Sequence, residues 1–197
     1  LSIPIHHLES ICVFGASTIS PPALELCWEN GVAVNYLSAF GHLQARMTGI
    51  ADTSVTLRRT HFRVADDPVK CVNIARQIVA GKMQNSRNSL LRACRENDSP
   101  VESEQLTAAT DALGRQIQEL VSTHETNSIR GAEGMASVFY FGVFSLMLKQ
   151  QREIFAFKHR SRRPPRDRIN CLLSFLYALV RHDCIAGLTA VGLDPFV

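Results

Sequence analysis

Glu133 has the neighbours that most invite chemistry. It stands in Arg130-Gly131-Ala132-Glu133-Gly134-Met135-Ala136, where small side chains leave open space around a carboxylate that a helix would otherwise crowd. Hard divalent cations take oxygen ligands of this kind in clefts near phosphate, which makes Glu133 a candidate metal ligand. A plainer reading stays open beside it. A Glu near the start of a helix favours the helix dipole, and with Arg130 at i−3 it can form an ordinary ion pair worth roughly 0.3 kcal/mol.

The second chemical feature is the run Lys158-His159-Arg160-Ser161-Arg162-Arg163-Pro164-Pro165-Arg166-Asp167-Arg168, with six Lys and Arg in eleven residues. Two prolines and an almost wholly apolar helix follow the cations closely. The run is therefore expected to present its guanidiniums as a fixed array suited to a phosphate backbone, rather than as a loose solvated tail. Arg160, Arg162, Arg163 and Arg166 are the candidate contacts. Arg58-Arg59-Thr60-His61-Phe62-Arg63 mixes cations with an aromatic, and Arg58 and Arg59 are read either as further phosphate contacts or as caps of the first helix pair. Asn170 and Tyr177 stand on the helix after the loop. Asn170 serves the backbone or supports the loop, and Tyr177 is expected in the core with its hydroxyl bonded.

Several chemistries have no signature here. The seven histidines include no H-x-x-x-H or H-E-x-x-H pair, and neither a G-x-S-x-G elbow nor a G-x-x-x-x-G-K-[ST] phosphate loop occurs. The six cysteines lie far apart without a C-x-x-C pair. They read as small core residues in a reducing, cytoplasmic setting. Met135 to Leu148 and Cys171 to Val180 are the longest apolar stretches, both shorter than the roughly 20 residues that cross a bilayer, so each is read as a buried helix.

The elements that must position these residues divide the chain in two. Of 197 residues, 46% are hydrophobic, enough for a real core. The net charge of +3 hides an asymmetry: residues 1–52 carry −3 and the remainder +6, so a polyanion should meet the second part. Residues 1–52 read as a small β-rich domain, with strands over Ile3 to Ile5, Ser10 to Phe14, Val32 to Leu37 and His42 to Thr48. A helix starts at Pro21-Pro22 and stops at Asn30-Gly31. From 53 to 197 the period becomes helical. One helix opens at Pro68 and runs out at Asn97-Asp98. A second starts at the capping box Ser99-Pro100-Val101-Glu102 and packs antiparallel to the first. A third runs from Asn127 or Ser128 to about Gln151, apolar all round and so central in the bundle, with Phe139, Tyr140, Phe141 and Phe144 as packing residues. The fourth is capped by Asp167 and ends near Gly187. The fold class is α+β, a small N-terminal β-rich domain before a larger all-α domain. The first residue is Leu1 without a signal peptide after it, and the sequence stops at Asp194-Pro195-Phe196-Val197, so it reads as a piece incomplete at both ends.

Arg130-Gly131-Ala132-Glu133-Gly134, then Arg162-Arg163-Pro164-Pro165-x-Asp167-x-x-Asn170-x-Leu172-Leu173-Ser174-Phe175-x-Tyr177, then Val191-Gly192-Leu193-Asp194-Pro195 form a pattern that closely resembles the CRISPR-associated integrase family of spacer acquisition. The subtype I-C branch looks nearest. Ile3 to Ile11, Ser20 to Leu24 and Leu57 to Thr60 extend the resemblance over essentially the whole chain. It implies an endonuclease and integrase that inserts captured foreign DNA into a CRISPR array by transesterification. It also implies a homodimer formed through the β domains, a small ferredoxin-like companion protein bridging two dimers, and double-stranded DNA as substrate. A Cas exonuclease that trims the DNA beforehand is a possible further partner. The implied cofactor is Mg²⁺ or Mn²⁺, held by a Glu on the central helix, a His after the G-L-D-P motif and an Asp beyond it. Glu133 matches the first of these, and the other two fall past Val197. The rival reading is a non-catalytic helical DNA-binding or scaffold subunit that uses the same basic loop.

Overall fold

A computed structural model describes residues 3–41, 43–49 and 54–197. The expected start of a strand at His42 and the expected domain boundary at Asp52 lie outside the described residues. In chain order the elements are β1 (Ser10–Phe14), α1 (Pro21–Glu29), β2 (Ala33–Leu37), β3 (Leu43–Met47), α2 (Val55–Ala65), α3 (Pro68–Arg95), α4 (Pro100–Val121), α5 (Thr126–Gly142) and α6 (Arg168–Ala190). A small sheet followed by a larger helical part is the α+β class expected. The elements form two compact units, one of the described residues up to Phe62 with Leu172–Val197, the other Arg63–Cys171. The stretch 53–197 is therefore shared between them.

In the first unit β1 pairs parallel with β2, from Ser10 against Ala33 to Phe14 against Leu37, and β2 pairs antiparallel with β3. The crossover between the parallel strands is α1, whose Leu24 and Cys27 pack with Val13, Val32 and Val34 in the small core. Ile3 to Ile5 forms no strand. Pro4 has no N–H to give a ladder, and Ile5–His7 closes a 3-10 turn instead. Of the six cysteines only Cys27 is buried, and Cys12, Cys171 and Cys184 are exposed. The expectation of core cysteines therefore holds for one position.

The second half of α6 belongs to this unit. The ring centroid of Phe175 lies 6.2 Å from that of Phe14, and Arg46 Nη2 donates to the Ala186 carbonyl at 3.3 Å. The helix is not a buried rod as expected. Leu172, Leu176 and Val180, one helical turn apart, are 50%, 45% and 57% exposed, and Tyr177 is 47% exposed rather than in the core. One face meets the sheet and the opposite apolar stripe does not. The helix also runs on to Ala190 and ends at Gly192, not near Gly187. Leu193 N donates to Leu188 O and Gly192 N to Thr189 O, and Gly192 has φ 82°. That is a Schellman cap, which needs a residue in the left-handed region. At 23 residues α6 is long and apolar enough to cross a membrane by length and composition, which corrects the shorter estimate. Arg181 and Asp183 stand in its middle, and charges at a bilayer centre cost roughly 2.5–3.5 kcal/mol each.

In the second unit α3 and α4 form the expected hairpin. Asp67 Oδ1 accepts from Val69 N and Lys70 N at the start of α3. Ser99 Oγ accepts from Glu102 N at the start of α4. The capping box is only half formed, because Asn97 Oδ1 takes the Ser99 N–H that Glu102 would have taken. Met83, Leu90, Leu106, Leu113 and Leu120 are buried between the helices, and α5 adds Ile129 and Ala136. α5 is not central. Met135 and Val138 are 47% and 63% exposed, so only one stripe faces its neighbours. It stops at Gly142 rather than near Gln151. The chain then turns through Phe144–Met147, and Phe144 and Phe141 pack their rings on Phe157 at 4.9 and 6.0 Å.

Candidate nucleic-acid interface and acidic centre

Phe157 is buried, and from it the cationic loop rises to the start of α6. Its return is fixed by Asn170, which is fully buried. Asn170 Oδ1 accepts from Arg160 Nη1 at 2.8 Å and from Ser161 N at 2.9 Å. Its Nδ2 donates to His159 O at 2.9 Å and to Asp167 Oδ2 at 2.5 Å. Asp167 caps the helix as expected, with Oδ1 accepting Asn170 N at 2.7 Å. A further bond from Arg166 N to Ser161 Oγ at 3.0 Å closes the loop on itself. One carboxamide thus uses its donor and acceptor groups to hold three loop positions, and burial makes each bond costly to lose.

This geometry sorts the arginines. Arg160 turns Nη1 inward to Asn170 and to Ser161 O at 2.7 Å, making it a strut of the loop rather than an outward contact. Arg162, Arg163 and Arg166 are exposed and make no printed bond through their guanidiniums. They remain outward-facing charges on a pinned backbone. Ser137 and Phe141 of α5, with Lys158, Arg160 and Arg162 of the loop, line one open cleft of about 540 Å³ or less, near 460 Å³.

Glu133 lies one helical turn before Ser137. A methyl group added at Gly131 or Gly134 would meet no atom within 4 Å, so the space expected around the carboxylate is present. It sits eight residues into α5, which begins at Thr126. The helix dipole acts mainly within the first turn, so that part of the plainer reading loses force. Its partner is not Arg130. Lys82 Nζ of α3 pairs with Glu133 Oε1, with side chains 44% and 37% exposed. Sequence reasoning missed Lys82, which stands 51 residues away on another helix. Among the described residues no group of three or more His, Cys, Asp or Glu could hold a metal ion. The chemistry of Glu133 suits one oxygen ligand of a hard cation, and the described residues add no second ligand beside it.

Arg58, Arg59 and Tyr177 belong to the first unit. Arg58 borders a cleft of about 600 Å³ with Arg46, Phe62 and Asp194. There the Asp194 N–H donates to His61 Nδ1 at 3.4 Å, tying the G-L-D-P turn to α2. Burial lowers the pKa of Arg46, a residue that sequence reasoning passed over.

The family described as CRISPR associated protein Cas1 matches residues 1–197. The chain belongs to the Cas1 family. A CRISPR-associated endonuclease Cas1 of Chlorobaculum tepidum is 40% identical over 98% of this chain and 56% of its own length. One of Rhodospirillum rubrum is 38% identical over 99% of this chain and 57% of its own. Among solved structures, a Cas6-RT-Cas1–Cas2 complex aligns with TM-score 0.68 and 25% identity, covering 94% of this chain and 20% of that one. The chain spans a little over half the length of these Cas1 relatives. Glu133 and the pinned loop thus lie in a Cas1 sequence matched from end to end.

Proposed function

We propose that the chain is part of a metal-dependent DNA endonuclease and integrase that joins captured double-stranded DNA to a CRISPR array by transesterification. Glu133 serves as one ligand of Mg²⁺ or Mn²⁺. The observation that carries this reading is the cleft shared by the Asn170-pinned cationic loop and α5, one turn from an acid with open space around it. Arg162, Arg163 and Arg166 hold the phosphate backbone, with Arg58 and Arg59 adding contacts from the other unit. Arg160, Asn170 and Asp167 keep the loop in shape. A divalent ion, when bound, polarises the phosphoryl oxygen and offsets developing charge.

In this proposal the protein acts as a homodimer in the prokaryotic cytoplasm, with a ferredoxin-like companion. The naming of a solved relative as a Cas1–Cas2 complex supports such a companion. A Cas exonuclease that trims the DNA fits the same scheme. The Lys82 pairing favours a second reading, a DNA-binding or scaffold subunit in which Glu133 is structural. Metal-dependent strand transfer by the full-length protein separates the two. The leading reading expects Glu133→Ala to abolish transfer while duplex binding and folding persist, and retained turnover in that variant removes Glu133 from the mechanism.

A further inference from the structure

We propose that Lys82 is a built-in competitor for the cation at Glu133: its ammonium occupies the carboxylate in the metal-free protein and must leave before a divalent ion binds. This rests on the reading of Glu133 as a metal ligand. Met83, next to Lys82, is buried in the helical core and fixes the rotation of α3. That rotation sets Lys82 toward α5, where it meets Glu133 Oε1. No hydrogen bond from the described residues reaches Oε2. The pair is exposed to solvent on both sides, so separating it exposes no new buried charge. Lysine also suits exchange, being a single point charge on a flexible stem, whereas a guanidinium would hold a carboxylate with two bonds. A carboxylate placed in open space attracts cations, and Lys82 supplies one until a stronger cation displaces it.

The consequence is a threshold. Lys82 keeps Glu133 in place in the absence of metal and raises the ion concentration needed to occupy the site. Removing the ammonium tightens Mg²⁺ binding by about two- to fivefold, the worth of an exposed ion pair.

The test uses the full-length protein and Mg²⁺ alone. Calorimetric titration of the unaltered protein, Lys82→Met and Glu133→Gln should show tighter binding in the first variant and lost binding in the second. Zero-length carbodiimide coupling, read by mass spectrometry, should join Lys82 to Glu133 without Mg²⁺ and fail at saturating Mg²⁺. The exposed Lys149–Glu96 pair serves as an internal control that the ion leaves unchanged. If Glu133→Gln weakens Mg²⁺ binding but Lys82→Met does not tighten it, or the Lys82 coupling persists at saturating Mg²⁺, Lys82 is no competitor. If Glu133→Gln leaves Mg²⁺ binding unaltered, the ligand assignment falls, and the inference with it. The coupling experiment needs no substitution, so a variant that folds poorly does not protect the proposal.

Discussion

Arg160 Nη1 lies 2.8 Å from Asn170 Oδ1, which binds the cationic loop to the first turn of α6 through a buried carboxamide. The six-cation run is therefore not one uniform patch. Arg160 is spent on holding shape, and the guanidiniums at Arg162, Arg163 and Arg166 gain a defined backbone from which to reach a polyanion.

Asn170→Ala removes that tie. Ser161 N–H and His159 C=O lose their partner, as does the Asp167 carboxylate, all in a part-buried setting. The expected loss is roughly 3 kcal/mol of folding stability, given about 1–3 kcal/mol for each buried polar group left unsatisfied. Chemical denaturation of the variant checks it. A loss below about 1 kcal/mol would show that water replaces the carboxamide and that the loop is not pinned through it.

Replacing Arg162 and Arg163 together with Ala should act differently. Both are exposed and neither supports the fold, so stability should change by less than about 0.5 kcal/mol. Duplex binding by the full-length protein should weaken for every sequence, and the slope of log K against log salt should flatten by about 1–2, close to 0.9 per lost phosphate contact. Arg160→Ala should show the reverse emphasis, with the larger stability loss and the smaller direct change in slope. Equal salt slopes in all three proteins would remove Arg162 and Arg163 from the phosphate contacts.

Local chemistry made much of this architecture legible. Pro21-Pro22, Pro68 and Ser99-Pro100 each mark a helix start that the fold keeps, because caps and fixed φ act within a few residues. The end of α5 was not legible. Its apolar run continues past Gly142, and only the ring packing of Phe144 on Phe157 diverts the chain. At α6 two glycines competed as the stop, and hydrogen bonds to Leu188 and Thr189 select Gly192. Glu133 was found from its small neighbours, but its partner Lys82 depends on how α3 and α5 face each other, which spacing along one helix does not encode.

Acid should expose a second set of charges. Hydrogen bonds from Lys149 and then Arg92 hold Glu96 down to about 2, and those from Arg152 and then Asn97 do the same for Glu102. Arg152 meets Glu102 twice, at 2.6 and 3.0 Å, so the segment after α5 is clasped to the α3–α4 hairpin. A carboxylate with a depressed folded pKa contributes stability that is full above its unfolded pKa, about 4.3, and is lost as pH falls toward the folded value. The thermal midpoint of the unaltered protein should therefore drop between about pH 4.5 and 2 faster than that of the Glu96→Gln, Glu102→Gln double variant, and the two should converge near pH 2. Both groups are exposed, so added salt should shrink the difference. Parallel pH curves would show that the clasp does not contribute to stability.

The turn between β2 and β3 offers a test of packing against backbone strain. Gly41 has φ 80° and Gly31 has φ 69°, so alanine at either must adopt the left-handed conformation, at a cost of about 1–2 kcal/mol. The surroundings differ. A methyl group at Gly31 would meet nothing within 4 Å, whereas one at Gly41 would approach the Phe175 ring to 3.1 Å. Phe175 is only partly exposed and rests on Phe14, so its ring has limited room to yield. Gly41→Ala should therefore exceed Gly31→Ala in destabilisation by roughly 1–2 kcal/mol, the range of an overpacked contact. Urea denaturation of the two variants, with Gly41→Ala repeated in a Phe175→Leu background, isolates the ring's share. Equal losses in Gly41→Ala and Gly31→Ala would mean that α6 moves away without cost, and that its second half is held to the sheet less firmly than the Phe14–Phe175 contact implies.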